Sequence, residues 1–140
     1  MRHSVSVAGV VVSDDGRALL IQRRDNGRWE PPGGVLELDE TIVDGLLREV
    51  REETGLLVEP VGLTGVYKNM TRGVVALVFR CWATGGELTT NDEVQAFRWA
   101  AFADVPSLMD EAYAVRVLDA LRADGPACPV RQHDGVNLVP

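Results

Sequence analysis

The segment from Thr41 to Thr54 restricts the fold more than any other part of the chain. It is an apolar-periodic stretch with a stop signal at each end. At about 100° per residue, Ile42, Val43, Leu46, Leu47 and Val50 make one continuous apolar arc that must lie against a core. Thr41, with Asp44 three positions later, forms a capping box in its acidic form, and Gly55 stands where a helix-ending glycine belongs. Three glutamates crowd the last turn. Glu53 falls inside the edge of the apolar arc near Ile42 and Leu46, and Glu49 and Glu52 lie just beyond it. Like charges at these spacings repel by a few tenths of a kcal/mol per pair even in water, about the helix-pair scale. The helix dipole disfavours anions at this end, and partial burial adds desolvation. Arg48 offsets part of this. From the wheel alone, two readings stay open: an ordinary solvated face, or hard oxygen ligands at i, i+3 and i+4 for a divalent cation.

The neighbouring segments are β-rich. Val5–Val12 is small or β-branched, Asp14-Asp15-Gly16 is a turn, and Ala18–Ile21 starts a return strand, so the chain is expected to open with a β-hairpin. Arg23–Arg28 reads as a polar loop. Trp29-Glu30-Pro31-Pro32-Gly33-Gly34 is expected to lack regular structure. Strands follow at Leu56–Tyr67, Gly73–Trp82 and Val94–Trp99. A second helix spans Glu111–Arg122, with Ala112, Val115, Leu118 and Leu121 near helical spacing and Gly125-Pro126 as its stop. The tail from about residue 125 to 140 has no clear period and reads either as an extended strand or as loose chain. Strands around one helix, then a final helix, imply an α/β (α+β) fold: a mixed β-sheet sandwiched between helices.

At 140 residues the chain fits one domain, residues 1–140, with a single core. No apolar run approaches the roughly 18–20 residues that span a bilayer. The basic start with its Val-rich run reads as a strand rather than a signal peptide, so a cytoplasmic protein without membrane partners is expected. Cys81 and Cys128 match no zinc spacing and are expected to be reduced thiols without a task. His3 and His133 are lone histidines, and neither is expected to be a ligand. A formal net charge of −7 argues against nucleic-acid binding. It leaves room for a small polyanion, provided that divalent cations lie between it and the acidic side chains.

The residues before the helix shift this balance. From Gly34 the chain reads GVLELDETIVDGLLREVREETGL. Gly34, Glu40, Arg48-Glu49-Val50, Glu52-Glu53 and Gly55-Leu56 hold nine fixed positions across the 23 residues 34–56. This series resembles the signature of the Nudix hydrolases at every defining position, and the Trp29–Gly34 lead-in is similar too. Gly45 is unusual, since alanine in a helix interior is about 1 kcal/mol better; making room for a neighbouring strand is the expected reason.

The resemblance implies a Nudix-type α/β/α sandwich. It also implies metal-dependent cleavage of a phosphoanhydride in a nucleoside diphosphate linked to a group X, of MutT-like character. Carried over by position, Gly33 (through its carbonyl), Glu49, Glu52 and Glu53 are implied metal ligands for Mg²⁺ or Mn²⁺. Glu40 and Arg48 are implied orienting residues, with Arg48 bracing a ligand carboxylate. The general base is open between Glu52, Glu53 and, outside the box, Glu93 beside Asp92. Arg23, Arg24 and Arg28 are candidate substrate-binding residues. Trp29 is available either to stack on a base or to pack, and Lys68, Asn69 and Arg72 are candidates for the same mouth. Thr71 stands where ADP-ribose-specific members carry proline. Arg72, Gly73 and Val74 lie where dinucleoside polyphosphate enzymes carry tyrosine. The partner implied is a small-molecule nucleotide, and a homodimer is compatible with the family. A nucleotide-sensing domain on the same fold is the alternative; its usual sign is a broken box, and this box is intact. A related prenyl diphosphate isomerase would be longer and would depart from the box.

Overall fold

The computed structural model describes residues 1–122 and 127–140. Strand β1 (Ser4–Val11) lies in the interior of a six-stranded mixed sheet of order β4-β1-β6-β5-β8-β9. Its partners are the short β4 (Gly33–Val35), antiparallel, and β6 (Val74–Gly86), parallel. Strand β5 (Leu56–Asn69) pairs antiparallel with β6 and parallel with β8 (Val130–His133), and β8 pairs with β9 (Leu138–Val139). A second, antiparallel sheet has the order β3-β2-β7, made of Trp29–Glu30, Ala18–Arg23 and Val94–Ala100.

Both sheets contribute to the same two cores, because side chains alternate along each strand. Val7, Val11 and Leu19 pack with Leu46 and Val50 of helix α1 (Ile42–Thr54). Ala8, Val10, Val12, Ala18 and Leu20 pack with Ala114, Val117 and Ala120 of helix α2 (Glu111–Leu121). The sheet layer therefore lies between helices, as expected for an α/β fold. Bulges in β5 change its parity: Leu56 and Val58 meet the α1 core, and Tyr67 meets the α2 core.

Several local expectations change. The opening hairpin has its turn, closed by Ser13 N–H to the Arg17 carbonyl, and one bridge, Val12 to Ala18. Beyond that bridge the strands part into different sheets. β1 pairs instead with β4 and along its whole length with β6, and β2 with β3 and along its whole length with β7. The Trp29–Gly34 segment is not irregular. It forms β3 and β4, with Pro31 and Pro32, which cannot donate to a ladder, falling in the gap between them. A 3-10 segment, Phe102–Ser107, was not anticipated. Helix α2 ends at Leu121, one residue before the expected end, and its Gly125-Pro126 stop lies outside the described residues.

In the tail, the described residues 127–140 carry two short strands, β8 and β9, paired antiparallel. Arg131 makes a two-pronged ion pair to Asp119, with Nε at 2.8 Å and Nη2 at 2.9 Å, and the Tyr67 hydroxyl donates to the same carboxylate at 2.7 Å. One buried acid thus ties β8 to both α2 and β5. Among the described residues no helix is long and apolar enough to cross a membrane. Both cysteines are free, and burial pushes the Cys81 thiol up to about 12.

Candidate active site

The acidic end of α1 meets the sheet at two glycines. A side chain at Gly33 would overlap the Val7 carbonyl oxygen of the adjacent strand. At Gly34 a Cβ would lie within 2.6 Å of all three carboxyl atoms of Glu49. The absence of a side chain there is what lets that carboxylate rest on the backbone of β4. Glu53 lies deeper, 8% exposed, and its Oε1 accepts the Gly33 N–H at 2.6 Å. Burial raises its pKa to about 8. The Gly33 hydrogen bond opposes the rise, and the negative charges of Glu49, Glu30 and Glu93 add to it. Glu49 is also raised, by burial first, against the lowering effect of Arg48.

Arg48 organises the rim. It grips Glu40 with both prongs, Nη2 to Oε1 at 2.7 Å and Nε to Oε2 at 2.9 Å, and its Nη1 reaches Glu49 at 2.9 Å and Glu52 at 3.3 Å. Glu40 also accepts the Glu37 N–H, and the Arg48 contact is the main reason its carboxyl falls to about 2. Its Oε1 would lie 2.8 Å from a Cβ at position 45, and the Leu36 side chain would overlap that Cβ. Gly45 therefore makes room for the loop entering the helix, not for a neighbouring strand.

Glu49, Glu53, Asp92 and Glu93 line one cavity of about 570 Å³ together with Gly33 and Gly34. Glu52 does not line it; its side chain is 60% exposed and turned toward Arg48. Among the described residues no three acidic, histidine or cysteine side chains converge tightly enough to enclose an ion. The donor chemistry nonetheless suits a hard divalent cation. It consists of carboxylate oxygens held over a backbone without a side chain, in a place where burial and mutual repulsion make a negative charge costly.

The Asp92–Glu93 loop is attached to the helix by a residue the sequence did not single out. Asn91 Nδ2 donates to the carbonyls of Glu52 and Glu53 at 3.2 and 3.1 Å, and Asn91 Oδ1 accepts the N–H groups of Glu93 and Val94. It satisfies carbonyls that the helix end leaves unpaired. Glu30 was missed as well. It lines the acidic cavity, burial raises its pKa, and Arg23 Nη1 lies 3.3 Å away. Its only sequence signal was its place in the proline-glycine lead-in.

The three candidate arginines separate. Arg23 lines the acidic cavity but is held by Asp25, at 2.7 and 2.9 Å, and by Glu30. Arg24 lines it and donates through Nε to the Asn91 carbonyl at 2.7 Å. Arg28 lies instead on a larger neighbouring cavity of about 800 Å³, which Trp29, Asn69 and Arg72 also line. His133 is fully buried beside Arg116, away from the acids of α1.

The NUDIX domain family model matches residues 2–121. A MutT-like protein from Streptomyces ambofaciens is 60% identical over 138 residues, covering 99% of this chain and 88% of the relative. An ADP-ribose pyrophosphatase from Methanocaldococcus jannaschii is 34% identical over 115 residues, covering 77% of this chain and 68% of the relative. The fold is shared with the crystal structure of an ADP-ribose pyrophosphatase from Streptococcus suis: TM-score 0.78, 24% identity, 92% of this chain and 99% of that one. The chain belongs to the NUDIX family, and it is a hydrolase of the Nudix type.

Proposed function

We propose that this protein is a metal-dependent nucleotide pyrophosphohydrolase acting on a nucleoside diphosphate linked to a further group. The observation that carries the reading is the Glu53 carboxyl, buried against the Gly33 N–H with Glu49, Glu30 and Glu93 charges around it. Glu49, Glu52, Glu53 and the Gly33 carbonyl would hold Mg²⁺ or Mn²⁺. When bound, that ion neutralises the diphosphate and lowers the pKa of the attacking water. The protein's own groups do the rest. Arg48, anchored by Glu40, keeps Glu49 and Glu52 near the cavity rim. Gly34 leaves the room over the β4 backbone that the Glu49 carboxylate occupies, and Gly33 lets β4 lie close against β1. Glu93 faces the cavity without an ion pair among the described residues, and we assign it proton acceptance from the water. Water attacks phosphorus in line, a P–O bond of the anhydride breaks, and two phosphorylated products leave.

The substrate set we favour is nucleoside tri- and diphosphates, with MutT-like nucleotides first, because Thr71 departs from the ADP-ribose pattern. The name of the archaeal relative makes ADP-ribose the necessary control. The test is a nucleotide panel including ADP-ribose, incubated with Mg²⁺, with products identified by mass. Glu53→Gln and Glu52→Gln are expected to lower turnover by about a thousandfold, on the scale of lost electrostatic catalysis, with the circular dichroism spectrum unchanged. Near-wild-type turnover in both purified variants defeats the reading. So does inertness of the wild type across the whole panel.

A further inference from the structure

The β8–β9 hairpin closes part of the large cavity, and it hangs on a histidine for which the proposed reaction has no use. Asp134, Gly135 and Val136, in the turn between the two strands, line that cavity together with Arg28 and Trp29. Immediately before the turn stands His133, fully buried. The hairpin lies beyond the residues 2–121 that the family model matches.

The start of β8 is firmly fastened. It pairs with β5 over Val66–Asn69, and Arg131 holds Asp119 with two prongs. The turn has lighter ties. Thr71 Oγ1 donates to the Asp134 carbonyl at 2.9 Å, and the Ala112 N–H donates to the Val136 carbonyl at 2.9 Å. Glu111 Oε1 accepts the Leu138 N–H at 2.7 Å. Asp134 Oδ1 accepts the N–H groups of Val136 and Asn137, which fixes the shape of the turn but not its place on the protein.

The imidazole joins this turn to α2. Its Nε2 lies 3.1 Å from Arg116 Nη2, and its Nδ1 meets the Gly135 N–H at 3.0 Å. Both ring nitrogens face donors. A neutral imidazole accepts at one of them, and an imidazolium accepts at neither. A proton on the ring therefore sets one N–H against a guanidinium and the other against a backbone N–H. Burial leaves that repulsion poorly screened.

The surrounding charges do not relieve the conflict. From α2 the ring meets Arg116 and the Tyr113 ring, whose centre is 5.8 Å away. From β5, Tyr67 stacks on the Arg116 guanidinium at 5.4 Å. Burial first, and then Arg116, hold His133 toward the neutral form; Asp134 opposes them, but its carboxylate is engaged within the turn. Glu30 of β3 acts on Arg116, and Glu111 on the Leu138 N–H. Among the described residues no carboxylate hydrogen-bonds the imidazole.

We infer that His133 is a proton-operated latch: the neutral ring keeps the β8–β9 turn against α2, and a proton on it frees the turn and opens the large cavity. Arg131, held on Asp119, is the pivot. The sign is that of a histidine buried neutral. The stability it contributes is intact above its unfolded value of 6.5 and is lost as pH falls through the lower folded value. The latch rests on the geometry of the hairpin and does not depend on the proposed reaction.

The test follows amide hydrogen exchange of the full chain by NMR at about pH 8 and about pH 5, without metal or nucleotide, corrected for the intrinsic exchange rate. Glu53 changes stability with pH in the opposite sense, so single amides are the readout rather than whole-molecule melting. In wild type the Gly135, Leu138 and Ala112 amides, whose partners part when the turn opens, are expected to lose protection at least about tenfold at the lower pH, the factor that one unit of pKa depression supplies. The α1 amides are expected to keep theirs. His133→Gln, which retains an acceptor toward Arg116 and takes no proton, is expected to protect these amides equally at both pH values. Arg116→Gln removes the facing cation, so the His133 midpoint, read from its ring protons, is expected to rise and the acid loss to shrink. Unchanged wild-type protection at the lower pH overturns the inference. So does an equal acid loss in folded His133→Gln, an unmoved midpoint in Arg116→Gln, or a loss that extends to α1, which marks general acid unfolding. If His133→Gln does not fold, wild type decides: a ring titration that does not coincide with the loss of Gly135 protection overturns the latch. A hairpin that opens in a protein hydrolysing no nucleotide sinks the proposed function and leaves the latch standing. Hydrolysis by a protein whose hairpin stays protected does the reverse.

Discussion

The two walls of the cleft are built on opposite principles. On the α1 side nearly every charge has a partner: Glu40 with Arg48, Glu49 with Arg48, and Glu53 with the Gly33 N–H. The excess there is of negative charge, and it is local in sequence. On the α2 side one guanidinium is held by two tyrosine faces and a histidine already contacted by another donor. The deficit there is of acceptors, and it is assembled from β5, α2 and the tail. In our reading the first wall is suited to running a reaction, so substitutions there should change rate.

The largest effect that tests this contrast after the box glutamates is at the paired glycines. Gly34→Ala would push against the movable end of Glu49, so the fold should survive while turnover falls by about a hundredfold, since ligand misplacement of about 1 Å has that cost. Gly33→Ala would press on backbone instead, and it should lower the melting temperature and the yield of folded protein. If Gly34→Ala is the less stable and Gly33→Ala the less active, the assignment of the two glycines is reversed. Next comes Glu40→Gln, which frees Arg48 from its two-pronged anchor. Metal affinity measured by titration should weaken by about 10–100-fold, the usual scale for residues that orient ligands.

A smaller effect concerns pH. In the folded, metal-free protein Glu53 keeps its proton up to about pH 8, against 4.5 for an ordinary glutamate. Between those values the folded state binds more protons than the unfolded one, so stability falls as pH rises through that window. In chelator the melting temperature should decline from pH 5 to pH 8. Added Mg²⁺ should raise it more at pH 8 than at pH 5, because only the ionised carboxylate gains from the cation. A melting temperature that rises with pH in chelator contradicts the placement of Glu53. The smallest effect is Asn91→Ala, which leaves two carbonyls at the end of α1 without their donor. It should cost about 1 kcal/mol, a few degrees of melting temperature, with a modest loss of turnover as the Glu93 loop loosens.

What could be read directly from the residues shares a physical form. The α1 helix, its Thr41 cap, the Gly55 stop and the clustering of Glu49 and Glu53 near one helix edge are relations among residues within a few positions of each other. Helical geometry converts such spacing directly into shared faces. Strands β5, β6 and β7 were legible for the same reason, since alternation and β-branched content are local. A place for Gly33 beside the α1 glutamates was implied by resemblance; the contact of Glu49 with the bare backbone of Gly34 came only with the fold.

Other features depended on which distant segments meet. Local turn chemistry favoured a β1–β2 hairpin, but pairing with distant β6 and β7 placed the strands in two different sheets. Gly45 is explained only by Leu36 and Glu40 folding back over the helix, and Asn91 only by reaching a helix end 38 residues earlier. Glu30, Arg116 and His133 come together through β3, α2 and β8, elements with no shared period. The sequence by itself determined a helix whose acids crowd one edge, because that follows from spacing along a single element. Only the tertiary structure decided which charges end buried, which arginine lacks an acceptor and what closes the far side of the cleft. Those depend on desolvation and on contacts between elements far apart in the chain, and no pattern along one element encodes either.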